Sequence, residues 1–305
     1  MTMLYLLGKA IASVLAVLMT FLTLGSGTGE SHEVKKPEEF PVVFSVLSDA
    51  HIEGLDQEFT FTKSYGVLTR VLDDVSLLGG RNDALVFLGD NTMNGQNIEN
   101  LLFYGAVSSM NAADKVIVAA GNHDFSNGEG NYEEYKNRFL YYNNAFFTEN
   151  LTTPYYYNVV KGCYIICLSS EDATVNTMYL SDTQLHWLKG VLDEAAEKNA
   201  PICVMSHHPA DYLEDRDSDE LTDILNDYDN LLYFCGHTHI EYSESSVYTL
   251  NGVNCINLPK VTHKDENGTG IGAQVEVYDD EVIVRIRDFY NGCYLEGQEF
   301  SYPLS

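Results

Sequence analysis

The stretch LLYFCGHTHIE, residues 231–241, runs from an apolar segment into two histidines, His237 and His239, separated by one residue. An unbroken apolar run of this length, bounded by Gly236, reads as a strand buried on both faces. Residues i and i+2 of an extended segment project to the same side, so the two imidazoles are expected to offer their nitrogens to one region. Four more apolar strands end in the same manner. Asp49 and His51 lie in SDAH (48–51), Asp90 in LGDN (88–91), Asn122, His123 and Asp124 in GNHD (121–124), and His207 and His208 in SHHP (206–209).

The segments between these endings set the fold class. PVVFSVLS, TKSYGVLTRVLDDVSLLG, DALVFLG, NIENLLFYGAVSSM and KVIVAAG alternate strand and helix patterns from residue 41 to 121. A β-α-β-α-β order implies parallel strands, right-handed crossovers and helices covering the sheet, an α/β fold. PYYYNVVKGCYIICLSS reads as a hairpin turning at Lys161-Gly162, and Ser181 with Gln184 predicts a capping box opening the helix DTQLHWLKGVLDEAAEK. The strand PICVMS, the short helix DELTDILNDY and the strand LLYFCG follow. From Ser243 the chain is strand-rich, with hairpins expected around Asn251-Gly252 and Asp279-Asp280. In such a sheet the carboxyl ends of parallel strands share one edge, where open α/β folds build their sites, so the five endings are expected to converge.

Composition narrows the partners. The 305 residues, 45% hydrophobic, suffice for one large core. With 45 acidic against 17 basic side chains the formal charge is −28, so the surface repels a nucleic-acid backbone. A small anion is still admissible, because bound metal ions invert the potential of a single pocket.

Carboxylates, imidazoles and an amide oxygen suit borderline divalent metals such as zinc, manganese or iron. Asp49, His51, Asp90, Asn122, His207, His237 and His239 exceed the needs of one ion, whereas two ions sharing a bridging carboxylate use all seven. Taken singly, an aspartate after a strand is an ordinary helix cap or turn residue, Asn122 suits a left-handed turn, and a lone histidine is more often packed or hydrogen-bonded than a ligand. It is the ordered set that points to a metal site. His32, His186 and His263 have no such context and are read as ordinary histidines.

The ordered motifs Asp-x-His, Gly-Asp, Gly-Asn-His-Asp, a His before Pro209 and Gly-His-x-His resemble those of the calcineurin-like metallophosphoesterases over residues 42 to about 290. The resemblance implies a layered α/β/β/α sandwich with a strand-rich C-terminal part. It assigns Asp49, His51 and His239 to one metal and Asn122, His207 and His237 to the other, with Asp90 bridging. His123 is then the nonligand histidine beside the scissile phosphate, and Asp124 orients it. His207 is preferred to His208 because the family's ligand commonly lies two residues before the proline. The implied reaction is hydrolysis of a phosphate monoester or diester by a metal-bridging hydroxide, with His123 stabilising charge or protonating the leaving group. A non-catalytic exported or cell-surface binding protein on the same fold is the alternative. Loops EGLDQEFTF, FSNGEGNYEE and ADYLEDRDSDE are expected to select the leaving group.

The N-terminal end carries an apolar run from Ala10 to Leu24 after Lys9, followed by GSGTG. This layout predicts an export signal over residues 1–27 or, if retained, a membrane anchor through residues 3–24. A polar linker (28–40) and a phosphoesterase domain (41–305) follow. Of six cysteines, Cys203 and Cys235 fall in buried strands, and Cys163 and Cys167 lie roughly 13 Å apart along one strand, too far to bridge. Core thiols are the leading reading, with pairing across strands or through Cys255 or Cys293 left open.

Overall fold

The computed structural model describes residues 41–305 apart from 57, 59, 79–81, 129, 148–149, 173–174, 214–218 and 263–269. The N-terminal apolar run, the linker with His32, and His263 lie outside the described residues. Among the described residues no helix is long and apolar enough to cross a membrane.

Two six-stranded sheets pack face to face. The first takes β1 (Val42–Leu47), β2 (Asn82–Phe87), β3 (Ala113–Val118), β10 (Ile271–Val277), β11 (Glu281–Asp288) and β12 (Cys293–Pro303) in the order β12-β11-β10-β1-β2-β3. The second takes β4 (Tyr156–Val160), β5 (Cys163–Cys167), β6 (Ile202–Met205), β7 (Leu231–Cys235), β8 (Val247–Leu250) and β9 (Val253–Asn257) in the order β4-β5-β6-β7-β9-β8. Strands β1, β2 and β3 are parallel, as are β5, β6, β7 and β9. Helices α1 (Lys63–Leu77), α2 (Asn97–Met110) and α3 (Tyr132–Phe147) belong to the first sheet, and α4 (Asp182–Glu197) and α5 (Glu220–Asn226) to the second.

The side-chain alternation explains the layering. Along β1 and β2, Phe44, Val46, Ala84 and Val86 face the second sheet, while Leu47, Leu85 and Phe87 join the core beneath α1, α2 and α3. In β7, Leu232 and Phe234 fill the space between sheets, and Leu231, Tyr233 and Cys235 pack beneath α4 and α5. Strands buried on both faces need continuous apolar sequence, which is what made them readable. On α1 the buried positions 64, 67, 68, 71, 72 and 75 form one helical stripe. The α/β/β/α sandwich is therefore as expected, with β10 to β12 as its strand-rich C-terminal part.

Some local expectations change. The hairpin does turn at Lys161-Gly162, both at positive φ (48° and 91°). The capping box at α4 is only half formed: Ser181 Oγ accepts from the Gln184 backbone N–H, but the Gln184 amide turns inward to the Ser169 backbone. Glu171 instead accepts from the Ser181 N–H at 2.8 Å. Burial of Gln184 made its side chain more useful in tying β5 to α4. Cys163, Cys167, Cys203, Cys235 and Cys255 are buried thiols, and Cys293 is exposed.

Candidate metal centre

The carboxyl ends of β1, β2, β3, β6 and β7 meet along one rim where the two sheets adjoin. Their loops are stitched together by backbone bonds. Asp49 N–H donates to Gly89 O (3.1 Å), His51 N–H to Asp90 O (2.8 Å) and Gly236 N–H to His207 O (2.9 Å). The glycines ahead of Asp90, Asn122 and His237 permit this closeness, whereas Asp49 and His207 follow serines. A methyl group on Gly236 would collide with the Ser48 hydroxyl and the Asp49 carboxylate, and one on Gly121 with the Asp90 carboxylate. One on Gly89 would lie 2.7 Å from Gly121 N and 2.8 Å from His207 Cβ.

The expected i, i+2 geometry takes an unexpected form. Asp49 (φ 55°), His51 (42°), Asp90 (49°), His237 (66°) and His239 (51°) are all left-handed, so the paired donors converge through consecutive tight turns rather than along an extended strand. Each such residue costs on the order of 1–3 kcal/mol, a strain that persists only where surrounding contacts over-determine it. Here the backbone stitching supplies those contacts.

The side chains gather as follows. Nε2 of His239 lies 2.9 Å from Asp49 Oδ1 and 2.9 Å from His51 Nε2. His51 Nε2 is 3.4 Å from Asp49 Oδ1 and 3.7 Å from Asp90 Oδ2. One ligand atom from each of Asp49, His51, Asp90 and His239 fits within 4.8 Å of the others. His207 Nε2 is 3.2 Å from the same Asp90 Oδ2, and His237 Nδ1 is 3.3 Å from His207 Nε2. Asn122 is buried in the turn between Gly121 and His123. His208 instead points Nε2 toward Val175 O (3.4 Å), and its ring lies 4.3 Å from that of His237.

Charge follows this packing. Burial alone would raise the Asp49 carboxyl, but the charge of His207 and bonds from His239 and His51 hold it well below the usual range. Asp90 is likewise lowered against its burial, chiefly by His207. Burial alone would lower His207, yet Asp90 and Asp49 push it up to about 9. Burial and the charge of His207 lower His237 to about 4. Two ionised carboxylates amid neutralisable imidazoles suit a divalent cation.

His123 stands beside this group, with Nε2 3.9 Å from Asp90 Oδ2. Its backbone N–H donates to Asp90 Oδ1 (2.8 Å), and Nδ1–H donates to the Met93 carbonyl (2.7 Å). The ring is thus oriented by Met93, not by a bond from Asp124. The Asp124 carboxylate instead accepts from the N–H groups of Gly121, Asn91 and Thr92, from the Asn91 amide and from the Thr92 hydroxyl. It locks the loop after β2 to the loop after β3 and so sets Met93. Burial, then the charge of Asp90, raises Asp124 to about 6. Met93 and Ser48 were not singled out from sequence, whereas the three glycines stood in its motifs.

A cavity of about 590 Å³ opens at this rim, lined by His51, His123 and His239 together with Lys63 and Lys260. A larger one, about 900 Å³, lies at the opposite, amino-terminal ends of the strands near Lys161, Tyr164 and Pro201. The ligand-type residues are at the smaller one, which is where chemistry belongs. His186 is on α4, where its Nδ1–H donates to Asp182 O.

The family model described as calcineurin-like phosphoesterase matches residues 43–241. The chain is 25% identical over 275 residues to a probable cyclic nucleotide phosphodiesterase from Rhodococcus erythropolis, covering 83% of this chain and 84% of that protein. It is 26% identical over 206 residues to a probable glycerophosphodiester phosphodiesterase from Arcobacter nitrofigilis, covering 63% and 70% respectively. Among solved structures it resembles a dimetal phosphatase from Danio rerio (TM-score 0.60, 16% identity, covering 87% of this chain and 100% of that one). It also resembles a purple acid phosphatase from yellow lupin (TM-score 0.57, 10% identity, 87% and 54% covered). At these identities the structural likeness speaks for the fold. The chain belongs to the calcineurin-like phosphoesterase family and is a metal-dependent phosphoester hydrolase.

Proposed function

We propose that this protein hydrolyses a phosphodiester at a dinuclear metal centre. The observation that carries the reading is Asp90, whose Oδ2 is 3.7 Å from His51 Nε2 and 3.2 Å from His207 Nε2 and so adjoins both donor groups. Asp49, His51 and His239 would hold one ion, Asn122, His207 and His237 the other, and Asp90 would bridge them. Manganese, zinc and iron all suit this donor set. Bound there, two divalent ions would supply Lewis acidity toward the phosphoryl oxygens and activate water.

The chain's own groups divide the remaining work. Burial pushes His123 down against the opposing pull of Asp90 and Met93. An arriving phosphoryl anion favours the imidazolium. Because Nδ1–H is committed to Met93, Nε2–H is the proton the ring has to give, either to developing charge or to the leaving oxygen. Two phosphodiesterase-named relatives support a diester ahead of a monoester. The apolar run Ala10–Leu24 supports an exported or surface-held enzyme, testable by N-terminal sequencing of membrane and medium fractions.

The decisive assay compares bis(4-nitrophenyl) phosphate with 4-nitrophenyl phosphate on metal-reconstituted protein, before and after chelation. Metal-dependent turnover favouring the diester is expected. Folded, metal-loaded protein inert on both would return the chain to the non-catalytic binding alternative.

A further inference from the structure

We infer that Asn257, on β9 and beyond the residues 43–241 that match the family, is a positioning residue for the metal pair: its amide clamps Thr238 and so holds His237 and His239 apart. The inference rests on the dinuclear reading above and names a further residue of that same site.

The turn that Thr238 occupies needs outside support. Thr238 N–H donates to Gly236 O (2.7 Å) across His237, which sits at φ 66°. A three-residue turn closed over a residue of positive φ is the rare, strained form. One residue beyond Thr238 the backbone is left-handed again, at His239 (φ 51°). The two reversals bring the rings to different donor groups. His237 Nδ1 lies 3.3 Å from His207 Nε2, whereas His239 Nε2 is 2.9 Å from both Asp49 Oδ1 and His51 Nε2.

Backbone N–H groups hold only the first half of this turn, Gly236 donating to His207 O (2.9 Å) and His237 to Asp49 Oδ2 (3.2 Å). Among the described residues no backbone hydrogen bond holds His239, Ile240 or Glu241, and Ile240 is 62% exposed. The support that does not use the ligand atoms themselves comes from one side-chain pair. Thr238 Oγ1 donates to Asn257 Oδ1 (3.2 Å) and accepts from Asn257 Nδ2 (3.0 Å). Asn257 is a rigid anchor, because it lies opposite Cys235 in the β7–β9 ladder and the next residue, Leu258, donates its N–H to Cys235 O (2.8 Å). Neither Thr238 nor Asn257 belongs to the ligand set, so the pair acts through the histidines on either side of Thr238. Since those histidines would serve different ions, one clamp supports both. The same strand carries a counterpart without that duty: Thr249 Oγ1 donates to Asn254 Oδ1 (3.3 Å), an ordinary cross-strand pair.

The test equilibrates the holoenzyme against buffers of stepped free zinc and counts bound ions per chain by elemental analysis. Wild type is expected to saturate at two. Asn257→Leu should shift both halves of the curve to about ten- to a hundredfold higher free zinc, the range typical when a residue behind metal ligands is removed. Thr238→Val should reproduce that shift, and Thr238→Ser, which keeps the hydroxyl, should keep the wild-type curve. The double variant Thr238→Val/Asn257→Leu should be no worse than either single change, because both break one interaction. Asn254→Leu should leave the curve in place. Circular dichroism verifies folding; should Asn257→Leu not fold, the Thr238→Val and Thr238→Ser pair decides by itself. Variant curves that superimpose on wild type, additive losses, a shift confined to one ion, or an equal shift in Asn254→Leu overturn the clamp and leave the hydrolase standing. A folded wild type that binds fewer than two ions overturns the dinuclear reading and the clamp with it.

Discussion

The two ends of the sheet sandwich are built from the same strands, yet only one resembles a site. At the amino-terminal end the cavity is larger, but its charges are spent locally: Lys198 pairs with Glu194, and Lys161 with Asp83, both at 2.7 Å. Left-handed non-glycine residues occur there too, Lys161, Asn199 and Asn230, in the turns ahead of β5, β6 and β7. At the carboxyl end the left-handed residues are aspartates and histidines, their side chains aimed at one another. Convergence of carboxylates and imidazoles, rather than cavity size or left-handed backbone, is what distinguishes the two.

The largest expected break in that contrast is chemical. Asp90→Ala should lower kcat on a diester by at least on the order of 10³-fold and reduce bound metal, measured by steady-state kinetics and elemental analysis. Glu194→Gln, at the amino end, should change kcat by less than about twofold, as surface substitutions away from a site generally do. Comparable losses would mean that the contrast between ends has no functional content.

Next come the glycines. Gly236 lies outside the positive-φ set, so its need is for space, whereas Gly162 (φ 91°) has open space and needs only conformation. Gly236→Ala should cost about 1–3 kcal/mol in chemical denaturation and deplete metal. Gly162→Asn should be nearly silent because asparagine tolerates the left-handed region. Gly236→Asn, by the same logic, should not rescue.

Proton linkage gives a more graded effect. In metal-free protein the raised His207, at about 9, stabilises the fold fully below its ordinary value near 6.5. That contribution is lost as pH rises through about 9. Metal binding needs neutral rings, and against its burial His51 is also raised, by Asp49 and Asp90, so apparent metal affinity should climb at least about tenfold per pH unit from 7 toward 9, with the His207 proton released. Calorimetry in buffers of differing ionisation enthalpy would measure that proton. A pH-independent affinity would contradict the His207–Asp90 pairing.

Much of this was legible because strands buried on both faces advertise themselves, and because ligands placed at their carboxyl ends fall at predictable points. What escaped was structure with little apolar pattern. Helix α3 buries only Phe139, Leu140 and Asn143, and its opening lies in a glycine-rich stretch, so FSNGEGNYEE read as loop throughout. Its signal was Asn131 ahead of Glu133 and Glu134, and Asn131 Oδ1 does accept from the Glu133 N–H. Strand β12 is a mostly exposed edge strand with a register shift opposite Arg285 and Arg287, and it gives no apolar run. The site's donors were readable by type and order, but their left-handed turns were not, because close packing of distant loops rather than local propensity enforces them. Likewise Met93, which orients His123, contributes only a carbonyl, and a carbonyl leaves no trace in sequence.

The smallest effect tests whether the two ends also differ in stability. Cys235 directly precedes the Gly236-His237 turn, and Cys163 borders the amino-end cavity; both thiols are buried. Burial pushes Cys235 well above the ordinary thiol range, so alkylation requires local opening that exposes the sulfur. Metal ions bound to the folded rim stabilise it by mass action and should leave the opposite end nearly untouched. Chelation is therefore expected to speed labelling of Cys235 by a few-fold while Cys163 keeps its rate, followed by peptide mapping after timed alkylation. Exposed Cys293 serves as the fast reference in both states. If both buried thiols accelerate equally, the sandwich opens as one unit, and the carboxyl rim, though chemically distinct, is not a separate element of stability.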